Sequence, residues 1–261
     1  MTIDLKNTRI LVTNDDGVEA EGIEVLSRIA RALSDDVWIV APAVEQSGAA
    51  HSLTMHEPLR YRKVAERRYA VMGTPTDAVL MGLMEILTDK KTGAGALRVN
   101  RGSNLAEDVT YSGTVAAAME GTLLEIPSVA LSNYIDGAYD RPVDWSAVEE
   151  FAPRIIRALA GCDWPHGTLM NVNFPGLPAA QVKGVTACPQ GRRKIEKEKL
   201  HKRTDPRGRT YFWIGGPGTT PFEDQPTADY RKLAEGYITV TPVQLDLTNY
   251  AMLADLEKLL A

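Results

Sequence analysis

Cysteine is scarce in this chain: there are two in 261 residues, Cys162 and Cys188, and neither has a second cysteine at ligand spacing. That argues against a disulfide framework or a cysteine-built zinc centre and leaves both thiols as core side chains. Long apolar runs are missing as well. No stretch approaches the roughly 18 to 20 apolar residues that span a bilayer, and the opening M-T-I-D-L-K-N-T-R has no apolar signal core. The expectation is a cytoplasmic chain with no membrane partner. Positive charge is not in excess either, with 29 Lys and Arg against 34 Asp and Glu and a net charge of −5. Nothing general therefore draws it to the backbone of a nucleic-acid duplex, and a small anionic substrate would need a locally built site. Internal repeats and low-complexity segments are also lacking.

What is present is organised around Arg9 to Gly17. Ile10, Leu11 and Val12 form a short run of β-formers, followed by Thr13, Asn14, the adjacent carboxylates Asp15 and Asp16, and Gly17. Such a run reads as a buried parallel strand, and α/β sheets place ligand sites beyond the carboxyl ends of their strands. Two like charges side by side favour a cation between or beside them, and oxygen-only ligands suit a hard ion such as Mg²⁺ or Mn²⁺. A solvated Asp-Asp-Gly turn is the other reading of the same residues.

The rest of the chain alternates strands and helices. Residues 21–33 carry apolar side chains at helical spacing. V-W-I-V-A at 37–41 is a second strand stopped by Pro42, so the first forty residues form a βαβ unit. The loop E-Q-S-G-A-A-H-S leaves that strand on the sheet edge of Asp15, which makes Ser47 and His51 site candidates beside their plainer readings as a turn serine and a surface histidine. Short strands at 59–61 and 69–72 predict a hairpin. Gly73 to Asp77 opens a helix with Thr74 as cap and Asp77 completing a capping box. The alternation demands a third buried strand at 92–99, but T-G-A-G-A-L-R-V fits poorly: two glycines weaken a strand and Arg98 brings a charge into the sheet.

After a polar loop, Ser112-Gly113-Thr114 opens an alanine-rich helix and offers N–H groups, hydroxyls and a positive dipole end to a phosphate, a role compatible with ordinary capping. Further strands are expected at 126–131, 169–174 and 237–242, with helices at 145–159 and 250–260. Between them the turn D-P-R-G at 205–208 joins a charged arm to Tyr211, Phe212 and Trp213, which predicts a projecting hairpin.

I-L-V-T-N-D-D-G at 10–17, A-P-A-V-E-Q-S-G at 41–48, G-T-P-T-D at 73–77 and N-R-G-S-N-L-A-E-D-V-T-Y-S-G-T-V at 100–115 together resemble the SurE survival-protein family of nucleotidases. The similarity extends through D-P-R-G-R-T-Y-F-W-I-G and E-G-Y-I-T-V-T-P, nearly the whole chain. It implies an α/β fold with a Rossmann-like three-layer core and mostly parallel sheet over 1–189. It also implies a C-terminal extension over 190–261 that exchanges between subunits of a homodimer or homotetramer. The implied activity is hydrolysis of nucleoside monophosphates by metal-activated water, with one divalent ion, Mg or Mn, per subunit. Carried over by motif, the metal ligands are Asp15, Asp16, Ser47 and Asn100, the first two also catalytic, and the phosphate contacts are Asn104, Ser112, Gly113 and Thr114. No serine or cysteine stands in a nucleophile–base arrangement, which favours direct attack by water; His51 is a candidate proton donor to the leaving group. One stretch departs from the family pattern, because Leu97-Arg98 stands where relatives carry Ser-Gly before the metal-binding asparagine. A non-catalytic nucleotide-binding relative disabled at 92–99, and a receiver-like signalling domain, are the competing readings.

Overall fold

The computed structural model describes residues 3–46, 48–90, 94–135, 142–194, 200–214 and 222–261, with the backbone alone at 94–100. The strands are β1 (Ile10–Thr13), β2 (Val37–Pro42), β3 (Tyr61–Ala65), β4 (Arg68–Val71), β5 (Ala94–Arg101), β6 (Val129–Asn133), β7 (Thr168–Phe174), β8 (Gly184–Ala187), β9 (Leu200–Thr204), β10 (Thr210–Ile214) and β11 (Tyr237–Gln244). The α-helices are α1 (Glu21–Arg31), α2 (Pro75–Met81, continued by a π turn), α3 (Gly113–Leu123), α4 (Ser146–Ala160), α5 (Asp229–Ala234) and α6 (Tyr250–Leu260).

Nine strands form one sheet in the order β3-β4-β2-β1-β5-β6-β7-β11-β8. The pairs β3–β4 and β7–β11 are antiparallel and the rest are parallel, so the sheet is mostly parallel as expected. The run Ile10-Leu11-Val12 is fully buried because both faces of β1 are covered. Successive side chains point to opposite faces of a strand. Ile10 and Val12 therefore join a core with α1 and α4, while Leu11 joins Val40 and Val71 in a core with α2 and α3. Layers of helix, sheet and helix follow from that alternation.

The third strand exists and is central, with parallel neighbours β1 and β6. Its irregular sequence is absorbed by an irregular register: Ile10 faces Ala94 and Val12 faces Leu97, so β5 takes one more residue than β1 over the same span. A bulge is where glycine in a strand is tolerated. Other boundaries move. The first hairpin strand is 61–65 rather than 59–61, and its turn shrinks to Glu66-Arg67, with Arg67 at φ +55°. β6 begins at Val129 rather than Ile126, since Ile126-Pro127-Ser128 is irregular backbone after the turn at Leu124-Glu125. The capping box at Thr74 and Asp77 is present, and the hairpin β9–β10 forms around Asp205, whose carboxylate accepts the N–H groups of Arg207 and Arg209 at 2.9 and 2.8 Å. The expected division at 189/190 runs through one continuous sheet, since β11 from the later segment pairs with both β7 and β8. Among the described residues, β9–β10 and α6 stand off from the core, with every residue of the hairpin strands exposed.

Candidate active site

Beyond the carboxyl ends of β1 and β5 lies a cavity of about 480 Å³. Asp15 and Asp16 enter it from the turn after β1. That turn is held by Asn14, whose amide donates to the Gly17 carbonyl at 2.8 Å and accepts the Gly17 N–H at 3.2 Å. Gly17 sits at φ +103°, and a Cβ there would come within 3.4 Å of the Val44 backbone, so only glycine closes the turn without strain. The Asp15 carbonyl accepts the Gln46 N–H at 2.7 Å, tying the loop after β2 to the same edge. The Asp15 side chain is buried, and its carboxylate accepts a long bond from the Thr114 hydroxyl at 3.4 Å.

The opposite wall is the loop 101–113. Asn104 lines the cavity and is clamped from below: its amide donates to Ser132 Oγ at 2.7 Å and its N–H to Asn173 Oδ1 at 2.8 Å. Its carbonyl accepts from Asn171 and Asn173 at 2.8 and 3.1 Å. These partners come from β6 and β7, so the polar residues inside two otherwise apolar strands are a fixed seat for one loop. Ser112 and Gly113 line the cavity at the start of α3, where Ser112 Oγ accepts the Val115 N–H at 3.1 Å and the Ser112 N–H is held by the Asp108 carbonyl at 3.0 Å. A helix start concentrates unbonded N–H groups and positive potential.

Behind this loop stands the C-terminal segment. Arg193 forms a buried two-bond ion pair with Asp108, one bond at 2.8 Å, and its own N–H donates to Glu107 at 2.7 Å. The guanidinium lies 4.2 Å over the Phe222 ring, which stacks on Tyr230 at 4.1 Å. Asp229, fully buried, accepts N–H groups from Ala106, Gly191 and Tyr230 at 2.9, 3.0 and 2.7 Å. Burial pushes its carboxyl above the usual range despite those three donors, with Asp108 adding to the rise.

The structure thus brings Asp15, Asp16, Asn104, Ser112 and Gly113 to one cavity. Thr114 is not a lining residue; it is fully buried beneath, with its hydroxyl on Asp15. Asn100 occupies β5 opposite Ser132 on β6, one residue before Arg101, and Ser47 lies outside the described residues. His51 pairs with Glu120 on α3 at 3.0 Å, two turns from the helix start and away from the cavity lining. Among the described residues, no three His, Cys, Asp or Glu side chains gather at metal spacing. The oxygen set offered by the cavity is two adjacent carboxylates with amide and hydroxyl groups, the donor chemistry of a hard cation.

The profile of the family described as Survival protein SurE matches residues 10–197. The chain belongs to the SurE family. It is 52% identical over 246 residues to the 5'-nucleotidase SurE of Paramagnetospirillum magneticum, covering 94% of this chain and 93% of that protein. It is 49% identical over 253 residues to that of Brucella canis, covering 95% and 96%. The crystal structure of the SurE protein from Aquifex aeolicus matches with a TM-score of 0.82 at 37% identity, covering 97% of this chain and 100% of that one.

Among the lining residues of this SurE-family cavity that the sequence alone did not single out are Arg101, Ser103, Tyr111 and Trp145. Arg101, the last residue of β5, brings a guanidinium to the cavity lining. Its position at the carboxyl end of a central strand was the available signal. Trp145 carried none, because it reaches the cavity from the start of α4, far along the chain.

Proposed function

We propose that this chain hydrolyses nucleoside monophosphates to nucleoside and phosphate, with the phosphoryl group held between Asp15-Asp16 and the start of α3. The observation that carries the reading is that two neighbouring carboxylates and a helix N-terminus open on one cavity. Relatives at about half identity named as 5'-nucleotidases support the substrate class.

The residues present suit a divalent cation. Asp15 and Asp16, with Ser47 and Asn100 as the further ligands, would hold Mg²⁺ or Mn²⁺; such an ion offsets phosphoryl charge and makes water a competent nucleophile near neutral pH. The other tasks fall to the chain itself. Arg101 matches two phosphoryl oxygens with its planar fork. The Ser112-Gly113 helix start adds N–H donors, and Asn104, clamped on three sides, orients its neighbours without freedom to drift. Thr114 fixes the Asp15 carboxylate from below. Preorganised donors of this kind lower the barrier because they need not reorient as charge develops. The exposed hairpin β9–β10 and helix α6 supply the surface on which copies assemble into a homo-oligomer, since their apolar side chains are left to solvent in one chain.

Phosphate release from nucleoside monophosphates with excess Mn²⁺ or Mg²⁺ tests this. Asp15→Asn and Asp16→Asn should each lose on the order of 10²–10³-fold in kcat, the scale of removing one electrostatic contact to a transition state. Their metal-free Tm should hold or rise as mutual repulsion is relieved, and the rise in Tm on adding metal should vanish. Full activity in Asp15→Asn, or undiminished wild-type activity in EDTA, overturns the reading.

A further inference from the structure

A second cavity, of about 560 Å³, adjoins the first and has no part in the chemistry described above. Its position follows from the sheet. Arg101, Asn133 and Phe174 lie side by side across β5, β6 and β7. The ladder continues one step beyond the strands, with Gly102 N–H on the Asn133 carbonyl at 2.8 Å and Tyr134 N–H on the Phe174 carbonyl at 2.9 Å. Gly102 lines the first cavity; Tyr134 and Pro175 line the second. Asn104 and Leu105, adjacent in the chain, are likewise divided between the two. Neighbouring strands are about 4.8 Å apart, so the facing walls of the two cavities stand on adjacent strand ends of one sheet edge.

The chemistry of the second cavity differs from that of the first. Leu105, Tyr134, Pro175, Leu177 and Leu233 make it largely apolar, and the Asp224–Arg231 ion pair at 2.8 Å adds polar groups at its side. A mostly apolar pocket of this size with a few placed polar groups is the usual form of a small-molecule site. Tyr134 is 41% exposed, yet it is not a loose surface residue: Gly176, at φ +66°, passes so close that a Cβ would collide with the Tyr134 carbonyl. The backbone that carries the ring is therefore fixed by close packing, while part of the ring stays open to a ligand. Phe222 is unavailable for stacking, since Tyr230 and the Arg193 guanidinium cover its two faces.

We infer that this cavity receives the nucleobase of the substrate, with Tyr134 as its stacking surface and Leu105, Leu177 and Leu233 as its apolar wall. The inference rests on the phosphomonoesterase reading for its substrate class. A phosphate anchored at the first cavity directs the remainder of a nucleotide along the sheet edge, and the adjoining apolar space excludes water from a planar base. Base–aromatic stacking tolerates any base, so the site discriminates nucleotides from baseless sugar phosphates more strongly than one base from another.

Two measurements separate this inference from the reading it rests on. The first is kcat/KM for AMP, GMP, CMP and UMP against ribose 5-phosphate in wild type, Tyr134→Ala, Tyr134→Phe and Leu177→Asp. Tyr134→Ala and Leu177→Asp should raise KM for the nucleotides on the order of 10-fold, within the range for a lost stacking partner, and leave ribose 5-phosphate turnover unchanged; Tyr134→Phe should restore wild-type values. The second needs no catalysis: adenosine, guanosine, cytidine or uridine, lacking phosphate, should raise the Tm of wild type and of Tyr134→Phe but not of Tyr134→Ala. Nucleoside binding lost in Tyr134→Ala, without phosphate release by any form, sustains the base site while refuting the phosphatase reading. Equal losses for nucleotides and ribose 5-phosphate, or no change for either, overturn the base site, as does failure of all four nucleosides to stabilise wild type.

Discussion

The loop 101–113 and the hairpin β9–β10 are both departures from the main sheet, and they are built in opposite ways. The loop is polar and largely buried, and its backbone is fastened from two directions: Asn171 and Asn173 hold it from the sheet, Arg193 and Asp229 from the C-terminal segment. The hairpin is aromatic and exposed, with Phe212, Trp213 and Ile214 at 56%, 65% and 77% exposure. Precision at the cavity comes from hydrogen bonds that cannot be traded for water, whereas the hairpin presents apolar area that solvent does not favour. Stability and positioning therefore reside in the first region, and the second is the surface proposed for association. The segment from 190 onward serves both ends: Gly191 and Arg193 are buried against the loop, and the projecting part begins only afterwards.

Breaking the buried side should cost most. Arg193→Ala leaves Asp108 as a buried charge stripped of its partner, a change that typically costs about 3–5 kcal/mol, and it loosens the turn that carries Ser112. Denaturant unfolding should show that loss, and phosphate release should fall with it. An unchanged unfolding midpoint would mean the pair does not anchor the loop.

Asp229→Asn should come next. Asparagine keeps one carbonyl oxygen for Gly191 and Tyr230 but turns an NH₂ group toward the Ala106 N–H, so about 1–3 kcal/mol should be lost at low pH, the cost of an unmade buried bond. The pH dependence sharpens the test. Because the folded-state pKa of Asp229 is raised, chiefly by burial, the native state holds this proton more tightly than the unfolded chain does. Its contribution to stability is greatest below the ordinary aspartate range and declines as pH rises from that range through the raised value. Asp229→Asn should flatten that part of the stability–pH curve, so the deficit measured at low pH should narrow toward neutrality; a constant deficit from pH 3 to 8 would contradict it.

On the exposed side, Phe212→Ser with Trp213→Ser should change monomer stability by no more than about 0.5 kcal/mol, as surface substitutions do. The double variant should nevertheless reduce the mass seen by light scattering at micromolar concentration. An unaltered mass would remove the hairpin from the assembly surface, and a large fall in monomer stability would erase the contrast between the two regions.

Much of this molecule was legible in the residue order. Ile10-Leu11-Val12 announces a doubly covered strand because a short run of β-formers closed at once by turn residues suits a strand buried on both faces, Thr74 and Asp77 announce a helix start through local capping, and Asp205 to Gly208 announce a tight turn. Those signals act over a few residues, where backbone geometry and hydrogen bonding are decided locally. What the tertiary structure decided is long-range. Asn171 and Asn173 look out of place in an apolar strand until Asn104 comes to rest on them, and Arg193 looks like one of several surface basic residues until Asp108, 85 positions earlier, meets it in a buried pair. The irregular β5 segment is acceptable only because β1 accommodates its extra residue. A buried polar group is stable only when its partner is delivered, and the partner's position along the chain is set by topology, which no local pattern encodes.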